Sequence, residues 1–179
     1  MIPSHAGPST NDTPTVAQDV SRAADFRVAM RELAAGVTII TAGRENGRRG
    51  LTATAVCSVS ADPPTLLVCI NRSAEGHAAI TESGSFCVNV IAVEHQGLAE
   101  RFAGRDGARG AERFEHGEWR ALATGAPVLA DAIAAFDCQL VQAIEAGTHT
   151  VFIGAVTATT VSPQRAALLY RAGSFAAAG

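Results

Sequence analysis

The apolar positions change period several times along the chain, and each change marks an element. The first 22 residues carry Ser, Thr, Pro, Asn and Asp without periodicity and read as a flexible arm. From Asp25 the period becomes helical. Phe26, Ala29, Met30 and Leu33 share one face, with Asp25 as cap and Gly36 as stop. Residues 37–41 are β-branched and predict a strand, followed by a Gly-, Asn- and Arg-containing hairpin turn over 43–50. Residues 51–60 predict a second strand, closed by Asp62-Pro63-Pro64. Residues 65–70 are apolar throughout, as in a strand buried on both faces. A short helix over 73–82, an alternating strand over 85–91 and a helix over 94–102 follow. Residues 103–126 read as a long, lid-like connection. Residues 133–145 and 149–161 form two long strands around Ala146-Gly147-Thr148, and 168–170 form a last short strand.

Six or seven strands with three short helices, the helices not alternating with the strands, argue against a doubly wound α/β sheet. Neighbouring strands joined by tight turns favour an antiparallel β-barrel with helices outside it. A length of 179 residues fits a single domain, taken as residues 23–179 behind the arm. With 47% hydrophobic and 17% charged residues the chain can fill a core. No apolar run reaches the ~18 residues of a membrane-spanning helix, and no basic-then-apolar start suggests a secretory signal.

Charge narrows the chemistry. All 14 cationic residues are Arg, so Schiff-base lysines, P-loop nucleotide hydrolysis and a lysine general base are excluded. A net charge of −3 argues against nucleic acid as the main partner. Cys57, Cys69, Cys87 and Cys138 lie in apolar stretches without a CxxC pair. They read as small buried hydrophobes in a reducing, cytoplasmic compartment.

The second strand is the most informative segment. Alternation puts Thr52, Thr54, Ser58 and Ser60 on one face and Ala53, Ala55, Cys57 and Val59 on the other. Hydroxyls on small residues leave room for a flat ligand and supply donors; the plain alternative is a solvated outer face. Asn71-Arg72-Ser73 stands at a helix start, where exposed N–H groups and a guanidinium can hold an anion. Here the alternative is ordinary capping by Ser73 beside a solvated Arg72. Asn89, in an apolar strand, needs partners, either a ligand or a neighbouring loop. His149 opens a strand, as a ligand contact or a polar end-cap. The other histidines are scattered, so a metal site is not expected. There is no GxSxG elbow and no GxGxxG after a strand.

Several segments together resemble one family. They are Phe26-Arg27-x-Ala29-Met30, Gly36-Val37-Thr38-Ile39-Ile40-Thr41, the run from Gly50 to Ser60, Asp62-Pro63-Pro64, Asn71-Arg72-Ser73 and Gly147-Thr148-His149-Thr150. In order along residues 25–175, they resemble the flavin reductase-like family, NAD(P)H:flavin oxidoreductases that supply reduced flavin to two-component monooxygenases. Residues 119–128 and Phe136-Asp137-Cys138 also look like reductase components acting on aromatic compounds.

The resemblance implies a split β-barrel, a homodimer, and binding of FMN or FAD with NADH or NADPH. It lays Thr52, Ala53, Thr54, Ala55 and Ser58 along the isoalloxazine and gives Asn71, Arg72 and Ser73 the ribityl phosphate. Asn89 falls in the third motif strand, Arg101 and Phe102 near the flavin phosphates, and His149 beside the nicotinamide. The family's C-terminus often carries paired aromatics; this chain offers Tyr170, Arg171 and Phe175. Hydride transfer between two cofactors needs no side-chain nucleophile or base, which matches the lack of a catalytic constellation. Two rivals are a non-catalytic flavin-binding or sensor module on the same barrel and a barrel enzyme that oxidises a small molecule on bound flavin. A reductase that releases its flavin lacks a long clamp, and residues 103–126 are the candidate clamp.

Overall fold

The computed structural model describes residues 16–162 and 165–178. They fall into two units, one ending at Leu33 and one running from Ala34. In the first, helix α1 spans Val16–Met30. The helix therefore begins well before Asp25, because Ala23 and Ala24 and the residues ahead of them sustain it. Only the first 15 residues of the expected arm lie outside the described residues. Phe26, Met30 and Leu33 are exposed, and among the described residues of this unit none is buried to form a core around them.

The second unit is built on a seven-stranded antiparallel sheet. Its strands are β2 (Thr38–Ala42), β3 (Arg49–Ala53), β4 (Val56–Ala61), β5 (Pro64–Asn71), β6 (Ser85–Val90), β9 (Ala134–Ala146) and β10 (His149–Val161). Their order is β3-β2-β6-β9-β10-β5-β4. Gly36, expected to end the first helix, lies instead in a short strand, β1 (Ala35–Gly36).

The expected single strand over 51–60 is two strands, and they occupy opposite edges of the sheet. The chain breaks at Thr54-Ala55, where the Val56 N–H turns back to the Thr54 carbonyl at 3.1 Å. Two residues span no more than about 7 Å, so the two edges meet there and the sheet curls into a split barrel.

The barrel interior packs Ile40, Leu66, Val68, Ile70, Phe86, Val88 and Phe152 with Ile80 of α2 (Glu75–Ser83). A second cluster joins Val37, Ile39, Ile91, Leu129 and Leu168 to Leu98 and Phe102 of α3 (Gln96–Phe102). α2 starts at Glu75 rather than at Ser73, because Ser73 spends its hydroxyl and N–H on Asn71 Oδ1, both at 2.9 Å. The long connection is ordered. It contains a 3₁₀ segment (Gly110–Glu115) and β7 (Trp119–Ala121), which pairs with β8 (Pro127–Leu129). The last short strand is a hairpin, β11 (Leu168–Arg171) with β12 (Ser174–Ala177), flanked by β1.

Candidate flavin site

Two adjoining cavities open beside β3, and both are walled by Thr52 and Ala103. The first, of about 210 Å³, has Thr52, Ala53 and Thr54 on one side and Tyr170 and Phe175 on the other. The C-terminal hairpin sets that aromatic wall. Its turn residues Ala172 and Gly173 both have positive φ, 52° and 88°, as a tight two-residue hairpin turn requires. The resulting register places Tyr170 opposite Phe175, with ring centroids 5.2 Å apart in an edge-on pair. The Arg105 guanidinium stands 5.2 Å above the Phe175 ring, close enough for a cation–π contact.

The second cavity, of about 410 Å³, is more polar and lies between the start of α2 and the segment after α3. Ser73 and Glu75 line one wall; Gly104, Arg109 and Arg113 line the other. Arg113 fastens that wall. It donates to the carbonyls of Ala108 (3.0 Å), Gly50 (2.8 Å) and Phe102 (3.1 Å). Glu75 ties the two walls together by accepting the Gly110 N–H at 2.9 Å. The ring of Phe102 is buried against Phe114 and Trp119. A Cβ at Gly50 would stand 2.5 Å from that ring, so glycine is what lets α3 close on β3.

The chain matches the family model of the flavin reductase like domain over residues 30–179. The chain belongs to the flavin reductase-like family. It is 46% identical over 170 residues to a protein of Variovorax paradoxus (strain S110) named FMN reductase (NADH) RutF, covering 95% of this chain and 93% of that one. Among solved structures it is similar to BorF, the flavin reductase component of a bacterial two-component tryptophan halogenase. That match has a TM-score of 0.79 and 36% identity, covering 87% of this chain and 97% of the other. It is also similar to the Streptomyces globisporus C-1027 NADH:FAD oxidoreductase SgcE6 in complex with NAD and FAD fragments. Here the TM-score is 0.79 with 30% identity, covering 87% and 92% of the two chains.

Within this flavin reductase fold, the expected site residues divide. Thr52, Ala53, Thr54, Ser73 and Phe102 line the paired cavities. Thr52 commits its hydroxyl to the Ala99 carbonyl at 2.6 Å. Ala55 sits at the strand break, its carbonyl taken by the Cys69 N–H. Ser58 is carried to the other sheet edge, where it lines a separate, mostly apolar recess with Val56, Phe136 and Val156. The hydroxyl row is therefore not one face. Arg72 and Asn71 line neither cavity; Arg72 is exposed and pairs with Glu145 at 3.2 Å.

Three further expected residues lie outside the paired cavities. Asn89 is wholly buried and is a structural tie. It donates to the Ile39 carbonyl (3.0 Å) and Thr41 Oγ1 (3.3 Å), and accepts the Leu129 N–H (2.8 Å). Arg101 is turned away from the polar cavity and holds the segment after α3, through Asp106 (2.7 Å), Glu115 (3.2 Å) and the Glu112 carbonyl (2.6 Å). His149 is exposed in register with Asn71, bonded to Thr148 Oγ1 at 2.8 Å, outside both cavities.

Sequence reasoning missed Arg105, Arg109 and Arg113, although the resemblance did include Gly104 in the segment near the flavin phosphates. Three arginines at a spacing of four amid glycines were the available signal, hidden by treating the stretch as a lid. It gave no role to Asp137, a fully buried carboxylate that accepts the Thr124 N–H at 2.8 Å and the Thr124 hydroxyl. Burial first, then the Asp137 charge, pushes the Cys138 thiol up to about 12 and the Cys87 thiol well above its ordinary value.

Proposed function

We propose that this protein reduces free FMN with NADH and passes the reduced flavin to a separate oxygenase. The observation that carries the reading is the pair of adjoining cavities, one narrow and aromatic-walled, one polar and cationic, sharing Thr52 and Ala103. Their linings fit the two ends of a flavin mononucleotide. Ala53 and the short Thr side chains leave a flat slot, while two arginines and Ser73 face an anion.

A bound flavin supplies the hydride acceptor for the nicotinamide. The chain's own residues bind and orient. Thr52 is fixed by Ala99, so the slot wall is rigid before any ligand arrives. Tyr170 and Phe175 exclude water from the opposite side. FMN and NADH are preferred over FAD and NADPH because the similar RutF proteins carry that name.

The acting form is a homodimer in the cytoplasm. Ile144, Val151 and Cys69 are register partners on one sheet face, as are Ile153 and Leu67. They make an apolar face with Ile144 44% exposed, and a second copy would cover it. His149 and Asn71 lie at its rim, so on this reading His149 meets the nicotinamide only in the assembled dimer. Among the described residues no helix is long and apolar enough to cross a membrane.

The test is steady-state oxidation of NADH and NADPH with each free flavin, alongside light scattering at micromolar concentration. Oxidation above the protein-free control, fastest with NADH and FMN, is expected from a dimer. No oxidation with any pair overturns the reductase reading and leaves a flavin-binding module. A monomer overturns the dimer.

A further inference from the structure

We propose that the recess beside β4, where the barrel core is left open, binds a small uncharged molecule carrying one aromatic ring and one hydroxyl. The recess has a volume of about 230 Å³ and shares no lining residue with the two cavities beside β3, so the inference does not rest on the reductase reading. Leu66, buried in the core, forms its inner end. Val56, Phe136 and Val156 pack on the same core cluster from the rim and stay only partly buried. Apolar surface that the core does not close off favours an apolar occupant.

Two strand irregularities shape the recess. In β10 the pairing with β9 shifts between Val156 and Ala158. Val156 and Thr159 are three residues apart, so regular alternation would turn them to opposite faces. The bulge brings both to the recess, with Thr159 paired opposite Phe136. In β4 the register shifts between Ser58 and Ser60, which leaves Val59 without a pairing partner and 50% exposed. The hydroxyls then divide. Ser60 donates to the Asp62 carbonyl at 3.0 Å and accepts the Asp62 N–H at 3.2 Å. Those of Ser58 and Thr159 have no protein partner among the described residues, so each offers a donor and an acceptor at the rim.

The lining selects the ligand. None of the described residues that line the recess is charged, so a phosphate or carboxylate would lose its hydration there without a counter-ion. Phe136 offers a ring for offset or edge-on packing. A dry cavity of about 150 Å³ already takes up benzene, and the volume here admits one substituted ring.

The test uses para-fluorophenol as probe and fluorobenzene as its counterpart without the hydroxyl, followed by fluorine NMR on the full chain. Saturable binding of para-fluorophenol in the millimolar range or tighter is expected, unchanged by excess FMN. Ser58→Leu fills the recess and is expected to weaken both probes at least about tenfold. Thr159→Val is expected to raise the Kd of para-fluorophenol about three- to tenfold and to leave fluorobenzene within about twofold, as loss of one hydrogen bond implies. Melting curves confirm that both variants fold. The proposal is wrong if para-fluorophenol does not saturate, if FMN displaces it, or if Ser58→Leu binds it like the wild type. It is also wrong if the probe fails to bind and light scattering shows Ser58→Leu breaking a dimer, since a second copy then fills the recess.

Discussion

β3 and β4 come from one stretch of alternating small and hydroxyl residues, yet they end as opposite edges of the sheet. On β3, Thr52 is half-buried, bonded to Ala99, and walls both cavities. On β4, Ser58 is exposed and lines an unrelated recess, while Ser60 exchanges hydrogen bonds with Asp62 in the adjoining turn. Side chains of the same type thus do different work because one peptide unit at Thr54-Ala55 changes which partner strand is available. Alternation assigns a residue to a face; only the pairing assigns that face to a cavity.

The sharpest way to break the contrast is on the β3 side. Gly50→Val drives a side chain into Phe102 and the Ile40 carbonyl. Overpacking of this kind is expected to cost about 3 kcal/mol, read as a drop in denaturant midpoint, with loss of flavin binding as α3 moves off β3. Thr52→Val is milder. It leaves the Ala99 carbonyl with only the Ala103 N–H and is expected to cost about 1 kcal/mol and to weaken FMN binding. Ser58→Ala, at the matching place on β4, is expected to stay within about 0.5 kcal/mol and to leave FMN affinity alone. Equal losses of FMN affinity in the two variants would mean that both edges serve one site. The smallest effect is chemical. Cys57 of β4 is exposed and should react with an aromatic disulfide at neutral pH in the native protein. Cys138, with its thiol pushed up to about 12, and Cys87 hold almost no thiolate there and should react only after unfolding.

Much of the fold was legible because its signals are local. The hairpin over Gly147-Thr148 and the existence of strands at residues 65–70 and 85–91 rest on period and turn chemistry within a few residues, although β5 is fully buried on one face only and β6 on both, the reverse of the burial expected for each. The site was legible only in part, for the opposite reason. Thr52–Thr54 and Ser73 were identifiable as hydroxyl and helix-start signals. The aromatic wall depends on a turn at Ala172-Gly173 whose register no alternation announces, and the arginine wall on Arg113 reaching back to Gly50, far away in sequence. Asn89 misled because a buried amide bonded to three neighbours and one awaiting a ligand look alike as letters.

The strand order also sets a sequence in time. β2–β3, β4–β5 and β9–β10 are hairpins whose contacts close short loops, whereas β5 must wait for β10, synthesised far later, before Asn71 can face His149. Long-range pairings carry the larger closure entropy and dominate the folding barrier. The curled sheet, which needs the β5–β10 pairing, is therefore completed late. A newly made chain carries its hairpins before it carries a flavin site, so flavin cannot template the early steps of folding and acts only by holding the finished barrel closed.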